Sequence, residues 1–319
     1  MKSKEIILRD AFALKWIRKF RGKVSDSNIR NIVEILASPV GELKYWFTKV
    51  RDENVKMFQY KLGIVVIIKN EALYIKEWIE FHRSLGFDKF IIYDNGSNDE
   101  IETVLNKYVK NGVVDYIYYP GKNRQCDAYN DAVYRYKDII QYMAIIDADE
   151  FILPSIYGED VYRMIDNILK SNVNYGGVVI NWLCFGSNGH IIKPDGLVIE
   201  EYTRRGLEEF RANQNYKTII NPRRVFAFVY PHFPFYLKKC YGVDTDKNVV
   251  KTYTKIGVYN KLRINHYFTK SKEEYEKKMN RGKADRSDYR TMDDFYMHDV
   301  NDIEDNLAKE YATNVKKYI

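Results

Sequence analysis

Tyr142-Met143-Ala144-Ile145-Ile146-Asp147-Ala148-Asp149-Glu150-Phe151 is the stretch whose reading decides the fold. So short an apolar run reads as a buried strand, and it stops in three carboxylates within four residues. At the carboxyl end of a parallel strand, where ligands of open α/β sheets collect, that is a seat for a divalent cation. Asp147 and Asp149 offer the oxygen ligands that Mg²⁺ or Mn²⁺ takes. Neither ion fills its shell from protein alone, which leaves positions for water or for substrate phosphate. A solvated acidic turn has the same sequence in isolation. The neighbouring segments therefore have to decide.

Upstream, the pattern alternates. Leu62 to Ile68 reads as a buried strand, and Leu73 to Leu85 as a helix with Ile75, Trp78, Ile79 and Leu85 on its core side, closed by Gly86. Lys89 to Tyr93 is a second strand, followed by the polar loop Asp94-Asn95-Gly96-Ser97-Asn98-Asp99 and a helix at Ile101 to Val109. Val113 to Tyr119 is a third strand, and a helix at Cys126 to Tyr136 precedes the acidic strand. Four strands alternating with helices imply a doubly wound, mostly parallel sheet with right-handed crossovers. Its switch-point crevice collects Lys69-Asn70-Glu71, the Asp94 loop and the Asp147 cluster.

The 319 residues suffice for one large domain with appendages. The apolar content of 45% and aromatic content of 15% are those of a globular protein. No apolar run approaches the ~20 residues of a membrane span. Three well-separated cysteines, Cys126, Cys184 and Cys240, form no metal-type pair and indicate a reduced compartment, so the expected location is the cytoplasm. Residues 1–60 carry 13 basic against 7 acidic side chains, most of the net charge of +7. A basic patch interleaved with aromatics on the folded domain is missing, which speaks against nucleic acid. Residues 4–21 can be drawn as a helix with Ile6, Ala13, Trp16, Ile17 and Phe20 opposite Lys4, Lys15, Arg18 and Lys19. Such a helix either docks on its own domain or, through residues 1–23, lies peripherally on an anionic membrane face.

After Pro154 the spacing becomes irregular. Strands are expected at Gly177 to Leu183, Leu197 to Tyr202, Thr218 to Ile220, Val225 to Val229 and Leu262 to Phe268. Ser271 with Glu274 three residues on forms a capping box at the start of a charged helix. The domain division is a basic helical extension over 1–60, a catalytic domain over 61–282 and a charged tail over 283–319.

Neither the Gly-x-Gly-x-x-Gly dinucleotide fingerprint nor a Walker loop follows the first strand. A nucleotide here must have its base and ribose met by side chains and its diphosphate met by a metal, the arrangement that suits a nucleotide-sugar. The segments IIKNEALYIKEWIEFHRSLGFDKFIIYDNGSND, IIDADEF, NWLCFGSNGH and INHYFTKSKEEYEKKMNRG resemble glycosyltransferases of the GT-A fold, most closely family 92 and a related bacterial family-2-like group. The likeness runs from about Lys61 to Gly282, in the family's order. It implies an α/β, Rossmann-like nucleotide-sugar-binding fold with a mostly parallel central sheet flanked by helices. By that resemblance Asn70, Glu71, Asp94 and Asp147 contact the nucleoside diphosphate. Asp147 and Asp149 ligate the metal, completed by His266, while Trp182, Phe185 and Gly186 line the sugar and acceptor pocket.

Each assignment has a plainer counterpart. His266 after a strand is also a common satisfied core histidine. Trp182 and Phe185 are equally ordinary core aromatics, although a Trp beside Gly186 suits stacking on a sugar. His232, between Pro231 and Pro234, reads as part of a rigid turn. Arg124 and Gln125 open a helix where they could meet phosphate or sugar hydroxyls, and Lys217, Arg223 and Arg224 could hold a diphosphate or an anionic acceptor. An inverting transfer needs a base for the acceptor hydroxyl. The resemblance favours Glu200, with Glu201 sent to the opposite face by the strand period and Glu150 behind them. The expected function is a Mn²⁺- or Mg²⁺-dependent hexosyltransferase. It would move a sugar such as galactose from a UDP-linked donor to a glycan or lipid-linked glycan, in bacterial surface polysaccharide synthesis. The rivals are a sugar nucleotidyltransferase and a non-catalytic sugar-binding protein of the same fold.

Overall fold

The computed structural model describes residues 39, 43–50, 57–251, 254, 256–280 and 290–319. The basic helix expected over residues 4–21 lies outside them.

The first half of the chain builds the sheet that the alternating pattern implies. Strand β1 (Tyr60–Ile68) is followed by helix α1 (Ile75–Ser84), β2 (Lys89–Asp94), α2 (Ile101–Lys110), β3 (Val114–Tyr118), α3 (Gln125–Tyr136) and β4 (Ile140–Ile145). β1 pairs in parallel with β2 on one side and β4 on the other, and β2 pairs in parallel with β3. Parallel strands are covered on both faces, which explains why β1 is apolar at successive positions rather than alternating. Its side chains still part by the pleat. Leu62, Ile64, Val66 and Ile68 join a core with Ile75, Trp78 and Ile79 of α1, whereas Val65 and Ile67 face Ala128, Tyr129 and Ala132 of α3. Gly86, at φ +91, closes α1, a left-handed turn that a Cβ would strain.

The sheet then continues with mixed direction. After β4 come β5 (Glu150–Pro154), α4 (Val161–Lys170), β6 (Tyr175–Cys184), the short helix α5 (Val198–Glu201) and β7 (Arg204–Arg205). Strands β8 (Tyr216–Ile220), β9 (Val225–Phe228), β10 (Pro234–Tyr236), β11 (Tyr241–Val243), β12 (Val249–Val250) and β13 (Leu262–His266) follow. β8 is inserted antiparallel between β4 and β6, and the main sheet runs β12-β11-β6-β8-β4-β1-β2-β3. β13 pairs antiparallel with β5 and parallel with β6, bringing Asn265 opposite Phe151 and His266 opposite Glu150. The architecture is the mostly parallel, helix-flanked α/β sheet expected of a GT-A protein.

Two local expectations change. Leu197 to Tyr202 is not a strand but the start and turn of α5, because Glu77 of α1 accepts the backbone N–H groups of Val198 (2.9 Å) and Ile199 (3.0 Å) and so caps a helix there. The charged C-terminal stretch is folded onto the domain. Helix α6 (Lys272–Asn280) carries the expected Ser271/Glu274 box, and α7 (Met292–His298), β14 (Ile303–Glu304) and α8 (Ala312–Lys316) follow. β14 pairs with β7, α8 packs on α1, and Val315 is fully buried. Asp305 is gripped by both terminal nitrogens of Arg263 (2.7 and 2.6 Å) and by Nε of Arg205 (2.8 Å), tying this stretch to β13 and β7. No helix among the described residues is long and apolar enough to cross a membrane.

Candidate active site

The sheet puts the acidic turn where β4 ends, and the alternation of burial through it sets the chemistry. Asp147 and Asp149 are partly exposed, while Ala148 and Glu150 are buried. Glu150 begins β5, is wholly inaccessible, and accepts the N–H of Asp147 through Oε2 at 2.7 Å. Burial drives its carboxyl well above the ordinary range, with Lys217 opposing. It therefore shapes the turn and is out of reach of any acceptor, which removes it as a base.

Asp147 is held from three sides. Gln125 Nε2 donates to Oδ1 at 2.8 Å, Tyr129 OH donates to the same oxygen at 3.3 Å, and Lys217 Nζ reaches Oδ2 at 2.7 Å. Lys217 also lies 3.8 Å from Glu150 and is 1% exposed. Burial disfavours its ammonium, but Asp147 and Glu150 outweigh that and raise its pKa. Gln125 and Lys217, expected to touch sugar or acceptor, instead fix and neutralise Asp147.

Asp149 meets a different set. Lys278 Nζ of α6 contacts Oδ2 at 2.6 Å and also donates to the Phe268 carbonyl at 2.7 Å. Oδ1 faces His266 Nε2 at 3.7 Å. Burial works against the Asp149 carboxylate, yet Lys278 and His266 beside it hold it well below the carboxylate range. Burial lowers the His266 pKa to about 4, so its imidazole is neutral and carries a lone pair. The His266 ring lies 4.1 Å from that of Trp182, and among the described residues buried His266 Nδ1, Trp182 Nε1 and Glu150 Oε1 meet no hydrogen-bond partner.

The donor set suits Mn²⁺ or Mg²⁺ in part. Asp149 and His266 present one carboxylate oxygen and one neutral imidazole to the same gap, and an ion of this kind takes its remaining ligands from phosphate and water. Asp147 is turned to Lys217, and no three His, Cys, Asp or Glu side chains among the described residues form a ready cage. Asp149 and His266 are the residues that would hold such an ion.

The other expected contacts divide. Asn70, at φ +55, accepts the Asn98 N–H and receives no strain-relieving glycine, and its own N–H goes to Ser97. Glu71 is 4% exposed, and its carbonyl receives the N–H groups of Tyr74 and Ile75 at the entrance of α1. Asp94 accepts from Ser97 (2.9 and 2.6 Å) and from Tyr116 OH (2.6 Å), and so braces its loop. Trp182, expected in the sugar and acceptor pocket, has its ring 4.1 Å from that of His266. Phe185 is 1% exposed and packs on Tyr267, so it is core. A Cβ on Gly186 would lie 2.4 Å from the Val300 carbonyl oxygen and from Asn301 Oδ1; this glycine admits the Val300 carbonyl and the Asn301 side chain rather than a sugar.

Glu200 and its neighbours are also reassigned. In α5, Glu200 caps its own helix and pairs with Lys316 of α8 at 2.7 Å, so it is not gathered into the Asp147 cluster; Glu201 lies 3.8 Å from His190. Arg223 donates to the carbonyls of Lys137, Ile140 and Gln141 at the start of β4, and Arg224 to that of Tyr175. These arginines bind backbone, not phosphate. Arg124 pairs with Asp127 at 2.9 Å.

His232, read in the sequence as part of a rigid turn, stands near the site, and Lys270 and Lys278 went unread. His232 packs on Trp182 with ring centroids 5.2 Å apart, and its Nδ1 faces the Tyr216 carbonyl at 3.0 Å, which leaves Nε2 as an acceptor. Burial and then Lys217 lower its pKa to about 3. Lys270 and Lys278 flank the Ser271/Glu274 box. Lys278 stands four residues beyond buried Glu274, hence on the same inward face of α6, and that spacing was the available signal.

Comparison with known proteins follows this geometry. The model of Glycosyltransferase family 92 matches residues 66–302. The chain belongs to glycosyltransferase family 92. A family 92 protein of Ricinus communis is 28% identical over 188 residues, covering 56% of this chain and 32% of that protein. One of Oryza sativa subsp. japonica is 26% identical over 165 residues, covering 51% and 27%. The chain thus spans about a third or less of the length of these family 92 relatives. Among solved structures, S. aureus TarS 1–349 in complex with UDP-GlcNAc is similar at a TM-score of 0.34 and 13% identity, over 51% of this chain and 45% of that one. Glucosyl-3-phosphoglycerate synthase from Mycobacterium tuberculosis, in complex with Mn²⁺ and UDP-glucose, gives a TM-score of 0.28 and 17% identity over 39% and 44%.

Proposed function

We propose that this family 92 chain is a metal-dependent glycosyltransferase, moving a hexose from a UDP-linked donor to a hydroxyl of a glycan. The observation that carries the reading is the meeting of Asp149 and His266 at 3.7 Å, an oxygen and a nitrogen donor at the carboxyl end of a parallel sheet. A divalent cation there supplies Lewis-acid neutralisation of the diphosphate as the sugar leaves. The chain's own residues position. Gln125, Tyr129 and Lys217 hold Asp147 beside that point, and Trp182 offers an aromatic wall for a sugar. The reading takes in-line attack with inversion, and neither Glu200 nor Glu150 is placed to take the acceptor's proton. The reading also keeps the chain in the cytoplasm, in bacterial surface polysaccharide synthesis, with residues 1–23 touching an anionic membrane. Liposome co-sedimentation with and without those residues tests the last point.

The test of function is nucleotide release from UDP-galactose, UDP-glucose and UDP-GlcNAc with Mn²⁺. Wild type should release UDP from one of them, chelator should stop it, and Asp149→Ala should be at least about 100-fold slower, the scale of losing a transition-state charge contact. Equal release by both proteins sinks the reading, and formation of a nucleotide-sugar with pyrophosphate would favour a nucleotidyltransferase.

A further inference from the structure

Lys270 is 8% exposed, yet among the described residues no hydrogen bond and no carboxylate oxygen within 4 Å engages its ammonium, and Glu77, Asp149 and Glu274 act on it only from farther away. Its Nζ lies instead 3.3 Å from the centroid of the Tyr74 ring. Removing an ammonium from water costs several kcal/mol, and an aromatic face returns roughly 1–2 kcal/mol of it. The backbone adds to the cost. Lys270 sits at φ +51, a left-handed conformation that disfavours a residue with a Cβ by roughly 1–2 kcal/mol. A strained, desolvated cation is thus held in one place by its surroundings.

That place lies between Tyr74 and the Asp149 turn. Tyr74 closes the loop that leaves β1 at Asn70, with its N–H on the Glu71 carbonyl at 3.0 Å. Its hydroxyl is tied to Glu274, which also receives Tyr202 and Ser271. On the other side, Lys270 is close enough to Asp149 to help keep that carboxylate ionised. Asp147 and Asp149 already have Lys217 and Lys278. Of these three lysines, Lys270 is the one whose ammonium has no carboxylate in direct contact among the described residues.

We propose that Lys270 holds the diphosphate of the nucleotide-sugar donor, donating from Nζ to a phosphate oxygen in the span between the Asn70–Tyr74 loop and Asp149. The proposal rests on the donor class assigned above. No bond is made or broken by Lys270; the ammonium exchanges the Tyr74 face for a phosphate oxygen and favours the charge that grows on the leaving diphosphate.

Calorimetric titration of UDP and UMP, in Mn²⁺, separates this from a structural role. Wild type should bind UDP more tightly than UMP. Lys270→Met should shrink that preference by about tenfold, one charge-assisted hydrogen bond, while UMP affinity and the thermal midpoint stay at wild-type values. An unchanged preference, or an equal loss of UDP and UMP binding, overturns the assignment. A second measurement needs no variant: reductive methylation of wild type, read by mass spectrometry, should find Lys270 protected by UDP and not by UMP. Equal labelling with both ligands overturns it even if the variant does not fold. Wild type that binds neither nucleotide would refute the donor class itself, a distinguishable failure.

Discussion

Asp149, in the turn before β5, and His266, at the end of β13, are far apart in the chain, and their side chains stand 3.7 Å apart because β13 pairs antiparallel with β5. The pairing puts the Tyr267 N–H on the Asp149 carbonyl at 2.9 Å, so backbone register, not side-chain flexibility, sets the gap between them. Replacing either ligand should weaken Mn²⁺ binding in the presence of UDP. We expect His266→Ala to cost at least about 10–100-fold, the range for groups that merely support a ligand, and Asp149→Asn no less. Manganese electron paramagnetic resonance titration measures it, and wild-type affinity in His266→Ala would remove the histidine from the metal site.

Lys217 and Asp147 form an ion pair whose cation is inaccessible. Lys217→Met should destabilise the fold by about 3 kcal/mol, since it strands Asp147 and Glu150 without a counter-charge. Adding Asp147→Asn should restore part of that loss. Urea unfolding of the two variants checks the coupling, and strict additivity would show that the pair does not interact.

Glu77 predicts a pH dependence. Burial lifts its carboxyl to about 7, against the opposing pull of the Val198 and Ile199 amides. The folded pKa lies above the unfolded value of 4.5, so the folded state binds more protons between them. This contribution is complete below pH 4.5 and is lost as pH rises through about 7. Wild type should therefore lose stability relative to Glu77→Gln between pH 5 and 8, on the order of 1–3 kcal/mol. Denaturant unfolding at both ends of that window measures the difference, and parallel profiles would contradict the assignment.

Asp305 carries the opposite sign. Burial raises its carboxyl, but Arg263 and then Arg205 outweigh that and depress it. Its contribution is full above the unfolded value of 3.8 and is lost as pH falls through the lower folded one. Asp305→Ala should cost about 3–5 kcal/mol near neutrality, because two poorly solvated guanidinium groups lose their shared anion. A change below 1 kcal/mol in urea unfolding would mean the C-terminal stretch is held by packing alone.

The acidic turn and the four parallel strands were legible because their signals are local. Apolar runs of strand length, glycine stops and carboxylates at a strand end are properties of neighbouring residues, and the structure keeps them nearly where the pattern puts them. The second half misled for an equally physical reason. At Leu197 to Tyr202 the chain is helical because Glu77, from α1, caps it, and no pattern within that hexapeptide records the cap. The base assigned to Glu200 failed with the strand that was to aim it. Phe185 and Gly186 looked like a pocket because an aromatic beside a glycine suits a sugar; in the fold the same pair suits Tyr267, the Val300 carbonyl and the Asn301 side chain.

The sequence alone determined that this protein has an alternating α/β sheet with carboxylates at its ligand-binding edge, since strand period and turn chemistry act over a few residues. Only the tertiary structure decided which charges those carboxylates meet. Lys217, Lys278, Lys270 and His266 arrive from β8, β13 and the chain around α6, and electrostatic partnership depends on distance in space, which one-dimensional order does not encode.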